Sequence, residues 1–165
     1  MEIKTVSVYL GLGSNSGEKQ EYLQRAMDYI AQRMRIEKKS SIYDTAPLEN
    51  TNQPRFLNMV CQVATSVPAA TLIFLTKGIE AKLGRLPGPV NGPRIIDIDI
   101  LLYGNDIVDT PDLKIPHPRI TEREFVLAPL AEIAPNLVHP VAKKTMKELF
   151  EAVKGKQGVN ITNLK

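Results

Sequence analysis

The chain reads as an α+β protein, a ferredoxin-like βαββαβ sandwich with an antiparallel-dominated sheet and added C-terminal helices. Stretches of period two and period 3.6 succeed one another in that order, with helical patterns after the last strand. The length, 165 residues, is that of one domain at roughly 150 residues per domain. Apolar residues make up 43% and charged residues 24%, a composition able to bury a core.

Val6, Val8, Leu10 and Leu12 alternate with smaller or polar residues, which predicts the first strand. Gly13-Ser14-Asn15-Ser16-Gly17 predicts a tight turn after it. Apolar residues at 22, 23, 26, 27, 30 and 34 mark a helix over 18–34. A second alternation, 36–44, predicts one strand with a wet face, and Thr45–Pro54 is a polar, Pro-bracketed loop. The third strand is predicted over 56–66, with 56, 58, 60, 62 and 64 on one face. Pro68 suits a helix start, Leu72, Leu75, Ile79 and Leu83 follow at helical spacing, and Gly84 ends the helix.

Leu86–Pro93 holds three Pro and two Gly, which excludes regular structure. Arg94–Tyr103 is the fourth strand, apolar enough to predict a central place, and a turn with a short hairpin follows over 105–112. Thr121–Glu124 and Thr145–Glu148 both have the spacing of a capping box. Pro129 predicts a kink or an end for the first of these two helices, and the second runs to about Val153. The tail beyond about 154 is polar and predicted loose, within a single domain 1–165.

Several function classes drop out early. A net charge of +3 is too small to imply nucleic acid unless it is clustered. One cysteine, Cys61, excludes an internal disulfide framework and a cysteine-based zinc site. No stretch approaches the ~18 apolar residues of a membrane span, and the first residues lack the pattern of a signal peptide. A cytoplasmic monomer with no membrane or nucleic-acid partner is the expectation.

Asp97 and Asp99 are two apart on a strand, so both carboxylates leave the same face, while Ile96, Ile98 and Ile100 leave the other. Two readings account for the pair. One is a solvated sheet face. The other is a site for Mg²⁺, a hard cation suited to carboxylates and substrate phosphates. Side chains ~7 Å apart at their bases can converge on two ions ~4 Å apart. Arg85 and Arg94 bracket the Pro/Gly loop beside the pair, and forked guanidinium donors suit polyphosphate. Carboxylates and arginines together form a set for phosphoryl transfer with no nucleophilic side chain.

The Gly11–Gly17 run fails the dinucleotide fingerprint, because its third glycine is one place late, and no P-loop motif occurs. Phe56 and Asn58 share a strand face, an arrangement that can stack on and hydrogen-bond a flat heterocycle, and Phe125 could supply the second face of a sandwich. His117 lies between Pro116 and Pro118 on a stiff loop, whereas His139 reads as structural. A non-catalytic binding module remains an alternative at this point. An RNA-binding sheet face fares worse, because it would carry two aspartates and no aromatic run.

The segment Gly92-Pro93-Arg94-Ile95-Ile96-Asp97-Ile98-Asp99-Ile100-Leu101 closely resembles the hallmark of the 6-hydroxymethyl-7,8-dihydropterin pyrophosphokinase family. Gly13-Ser14-Asn15, Thr45-Ala46-Pro47-Leu48, Pro116-His117-Pro118-Arg119 and Pro129 to Pro135 follow the same family in order, and the resemblance spans about residues 5 to 153. It implies ATP-dependent pyrophosphoryl transfer to the hydroxymethyl pterin with release of AMP, in folate biosynthesis. It further implies two Mg²⁺ ions on Asp97 and Asp99, with Arg85 and Arg94 stabilising the triphosphate. Glu80, Ile100, His117 and Arg123 would complete the ATP site. Thr45, Ala46, Leu48, Phe56, Asn58 and Phe125 would hold the pterin, with Thr45–Pro54 and Leu86–Pro93 as mobile loops. The loop Leu86–Asn91 departs from the family in lacking Lys and Arg, which predicts weaker ATP binding or a faster opening of the lid.

Overall fold

The computed structural model describes residues 4–45, 54–85, 95–155 and 160–164. Strand β1 (Val6–Ser14) leads through helix α1 (Lys19–Ala31) to β2 (Arg35–Lys39) and β3 (Ile42–Thr45). Then come β4 (Phe56–Thr65), α2 (Ala69–Lys82) and β5 (Asp97–Tyr103). The sheet order is β5-β1-β4-β3-β8, where β8 is Asn160–Leu164, with β2 also on β4 and every pairing antiparallel. This is the ferredoxin-like arrangement predicted above.

Val8, Leu10 and Leu12 of β1, Met59, Cys61 and Val63 of β4, and Ile98 and Ile100 of β5 form one core with Leu23, Ala26 and Ile30 of α1 and Leu72 and Ile79 of α2. Burial in this core pushes the Cys61 thiol up to about 12, so it remains a protonated packing group. Gly84 ends α2 as expected, at a φ of +97° that an L side chain rarely adopts.

The opposite face is not bare. Helices α3 (Glu124–Ile133) and α4 (Met146–Val153) cover part of it, burying Leu127, Leu130, Met146 and Leu149 against Tyr9, Val60, Leu101 and Leu102. A register shift between Tyr9 and Leu10 in the β1–β5 pairing lets Leu101 and Leu102 both serve this second core, although neighbours on a strand normally diverge.

Several local expectations need correction. The single strand over 36–44 is two, because the chain breaks at Ser40, whose hydroxyl accepts from Val60 N at 2.9 Å in place of a ladder bond. Thr121 caps nothing: Ile120–Glu122 is a 3₁₀ turn, and α3 begins at Glu124 with no side-chain cap. Pro129 does not end that helix, which continues to Ile133. Where a loose tail was expected, β8 (Asn160–Leu164) pairs with β3. The Thr145–Glu148 capping box forms with both of its halves. The 105–112 hairpin is realised as β6 (Val108–Asp109) and β7 (Lys114–Ile115). No helix among the described residues is long and apolar enough to cross a membrane.

Candidate active site

Strand β5 is an edge strand, not the central one its apolar sequence predicts. A bare edge leaves backbone donors and acceptors unpaired, and here side chains and a loop fill them. The Glu80 Oε2 atom accepts from Ile98 N at 2.7 Å, and Leu101 O accepts from His117 N at 2.9 Å. The edge position therefore brings Glu80 and His117 to the aspartate strand.

Asp97 and Asp99 stand on the face opposite the buried Ile98 and Ile100, both half-buried. Their partners on β1 are glycines: Asp97 lies across from Gly13 and Asp99 from Gly11. Arg85 Nη1 reaches Glu80 Oε1 at 2.7 Å and Asp97 Oδ1 at 3.3 Å. Glu80 is 5% exposed, and burial raises its pKa, opposed by the Ile98 hydrogen bond and the Arg85 charge. It fixes the arginine and the strand at once. The His117 pKa is lowered by burial first, then by the nearby Arg123 charge, against the pull of Asp97. Its Nδ1 accepts from Arg119 N at 3.3 Å, so the ring proton of the neutral form is left on Nε2.

On the same face but across β1, Asn58 of β4 lies opposite Gly13. A Cβ at position 13 would stand 2.7 Å from Asn58 Oδ1, so only glycine leaves that amide where it is. Asn58 Nδ2 donates to Thr45 Oγ1 at 2.6 Å. Phe56 shares the face of Asn58 at the mouth of β4. Phe125 opens α3 on that side of the sheet, and the Arg123 guanidinium stacks 5.5 Å from its ring centroid. Arg123 thus lies close to both the histidine and the ring. The loop from Thr45 to Pro54 is closed at its base: Arg55 Nε donates to Asp44 Oδ1 at 2.7 Å and Asn15 Nδ2 to Pro54 O at 3.2 Å.

The fold places Glu80, Arg85, Asp97, Asp99, His117 and Arg123 on one side of β1 and Thr45, Phe56 and Asn58 on the other. Ile100 does not join by its side chain, which is 4% exposed in the core under α1 and α2. Ala46, Leu48, Arg94 and both predicted mobile loops lie outside the described residues. Sequence reasoning missed Gly13 as part of the site, reading it as a turn. The signal was available in its strand parity, which matches Gly11 and Tyr9. Among the described residues no cluster of three or more His, Cys, Asp or Glu gathers for a metal. The protein side here supplies hard oxygen donors from Asp97 and Asp99, a set that fits Mg²⁺ sharing its shell with water and phosphate.

A pair of carboxylates with a tethered arginine, beside an amide and an aromatic ring on the same sheet face, makes a ferredoxin-like site suited to a polyphosphate and a flat ring. The profile of the family described as 7,8-dihydro-6-hydroxymethylpterin-pyrophosphokinase (HPPK) matches residues 9–135, and the chain belongs to that family. It is 42% identical over 142 residues to the 2-amino-4-hydroxy-6-hydroxymethyldihydropteridine pyrophosphokinase of Aquifex aeolicus, covering 86% of this chain and 89% of the relative. The Bacillus subtilis protein of the same name is 40% identical over 155 residues, 93% of this chain and 88% of that one. A Plasmodium falciparum HPPK-DHPS triple mutant solved with SDX-DHP superposes at a TM-score of 0.75 and 18% identity, covering 98% of this chain. This chain spans 47% of that larger one, and the likeness is one of fold.

Proposed function

We propose that this chain, a member of a pterin pyrophosphokinase family, transfers the terminal pyrophosphoryl group of ATP to the hydroxymethyl oxygen of 6-hydroxymethyl-7,8-dihydropterin. The new bond joins that oxygen to the β-phosphorus. The bridge between the α- and β-phosphates breaks, its electrons stay with AMP, and the hydroxyl proton leaves to water. The observation that carries this reading is the division of one face by Gly11 and Gly13, with Asp97, Asp99 and Arg85 on one side and Asn58 and Phe56 on the other.

Asp97 and Asp99 would hold two Mg²⁺ ions, which supply charge neutralisation for the polyphosphate. Arg85, fixed by Glu80, meets phosphate oxygens with a fork already aimed. His117, neutral and carrying its proton on Nε2, donates to the nucleotide without adding charge. On the other side, Asn58 reads the edge of the pterin, and Phe56 and Phe125 cover its faces. Arg94, Ala46 and Leu48 complete the reading from the family motifs.

AMP formation from ATP tests it. The expected result is Mg²⁺-dependent AMP that appears only when the hydroxymethyl pterin is added. AMP formed equally without the pterin, or ATP bound with no AMP under any condition, would refute transfer and favour a hydrolase or a binding module.

A further inference from the structure

Glu132 has no part in the chemistry above, yet it is the most heavily bonded side chain of α3 among the bonds described. Oε1 and Oε2 accept from Ser41 N at 3.0 and 3.1 Å, Oε2 from Ser41 Oγ at 2.8 Å, and Oε1 from the Tyr43 hydroxyl at 2.6 Å. An acid in the last turn of a helix sits at the unfavourable end of the macrodipole, so α3 itself gains nothing from it. Its bonds go elsewhere, to the break between β2 and β3. Ser41 N lies just before the first ladder residue of β3, and the carboxylate gives it a partner. The Tyr43 hydroxyl is 2.6 Å from the same carboxylate, and its pKa is pushed up by burial and then by Glu132.

Strand β3 continues from Tyr43 through Asp44 to Thr45, which accepts from Asn58, and Tyr43 itself lies opposite Asn58 on β4. At the other end of α3 stand Arg123 and Phe125. One helix thus carries the aromatic ring at its start and the tie to β3 at its finish. We infer that Glu132 is a positioning residue for the pterin: through Ser41 and Tyr43 it locks α3 to β3, and so fixes Phe125 relative to Thr45 and Asn58. The inference rests on the reading of that face as the pterin site.

Two near-isosteric variants, Glu132→Gln and Tyr43→Phe, break the tie from opposite sides without opening a cavity. Each should raise the pterin KM and the pterin dissociation constant about five- to tenfold, the effect of losing one ordinary hydrogen bond. The ATP KM and the affinity for a non-hydrolysable ATP analogue should stay within about twofold, and kcat at saturating pterin likewise. The double variant should be no worse than about the poorer single one, because the bond lost in Tyr43→Phe is one that Glu132→Gln also weakens. A merely structural role would lower thermal stability and move both substrates together or neither. Either of those outcomes overturns the inference, as does additivity of the two variants. Asn58→Ala separates the levels: if it weakens pterin binding while Glu132→Gln does not, only the role of Glu132 falls. If Asn58→Ala leaves the pterin constants unchanged, the pterin reading fails and takes the inference with it.

Discussion

The two halves of the site are built on opposite sides of β1 by the same device in different surroundings. On one side a glutamate from α2, Glu80, holds β5 through Ile98 N and aims Arg85. On the other a glutamate from α3, Glu132, holds β3 through Ser41 and Tyr43. Glu80 is buried, and its carboxylate pairs with a cation, whereas Glu132 is exposed and, among the described residues, meets neutral donors. On the proposed reading, the difference follows from the cargo. A polyphosphate needs full charges in a dry setting, where each is costly without its partner. A neutral heterocycle needs fixed geometry, which hydrogen bonds to an exposed carboxylate can provide.

If that contrast is right, each half should fail in its own way. Asp97→Ala removes a charge from the polyphosphate half and should lower kcat about 10²–10³-fold, as loss of a charge-stabilising group does. Thermal stability should barely move, because Arg85 keeps Glu80 as a partner. Extensive unfolding by circular dichroism would mean instead that the pair is structural. Glu80→Gln acts one step further out and should lower kcat about 10–100-fold, in the manner of outer residues that orient a charged group, with pterin affinity unchanged. Isothermal titration with the pterin checks the second half of that statement, and a matching loss there would erase the contrast between the halves. Gly13→Ala attacks the boundary itself. Its methyl group would displace Asn58 Oδ1 and strain the bond to Thr45, so the pterin KM should rise about tenfold. An ATP KM that rises equally would show that the glycine row serves both cargoes alike.

Much of this plan is legible in the sequence, for physical reasons. The period-two parity of Asp97 and Asp99 against Ile98 and Ile100 fixes which face carries charge, and the β5 core bears it out. The order of elements gives the ferredoxin-like sheet. What stays hidden is tertiary. A strand as apolar as β5 looks central because its sequence cannot show that Glu80 and His117 will satisfy its open edge. The break at Ser40 is invisible to alternation, since a serine hydroxyl substitutes for one ladder partner without changing polarity. Pro129 remains inside a helix because packing of Leu127 and Leu130 outweighs one missing backbone bond. Ile100 enters the ATP reading by its place in the motif, and its parity assigns the side chain to the core.

A last and smaller effect separates the two halves by pH. His139, which belongs to neither, closes the segment between α3 and α4: its Nδ1 accepts from Val141 N at 3.1 Å and Ala142 N at 3.0 Å. Burial lowers its pKa below the usual 6.5. A base with a depressed folded pKa contributes stability in full above its unfolded pKa. That contribution is lost as pH falls through the folded value, since protonation places a hydrogen where two backbone donors already point. Stability should therefore fall below pH about 6.5, and the loss should start behind α3, on the pterin half. His139→Asn keeps an acceptor at the Nδ1 position but does not titrate. Between pH 7.5 and 5.5 its melting temperature should drop about 2–4 °C less than that of the parent. His117, also pushed down, is present in both proteins and cancels from the difference. Equal acid loss in the two would place the titrating group elsewhere. A loss that weakened ATP binding before pterin binding would mean that the segment between α3 and α4 supports the wrong half.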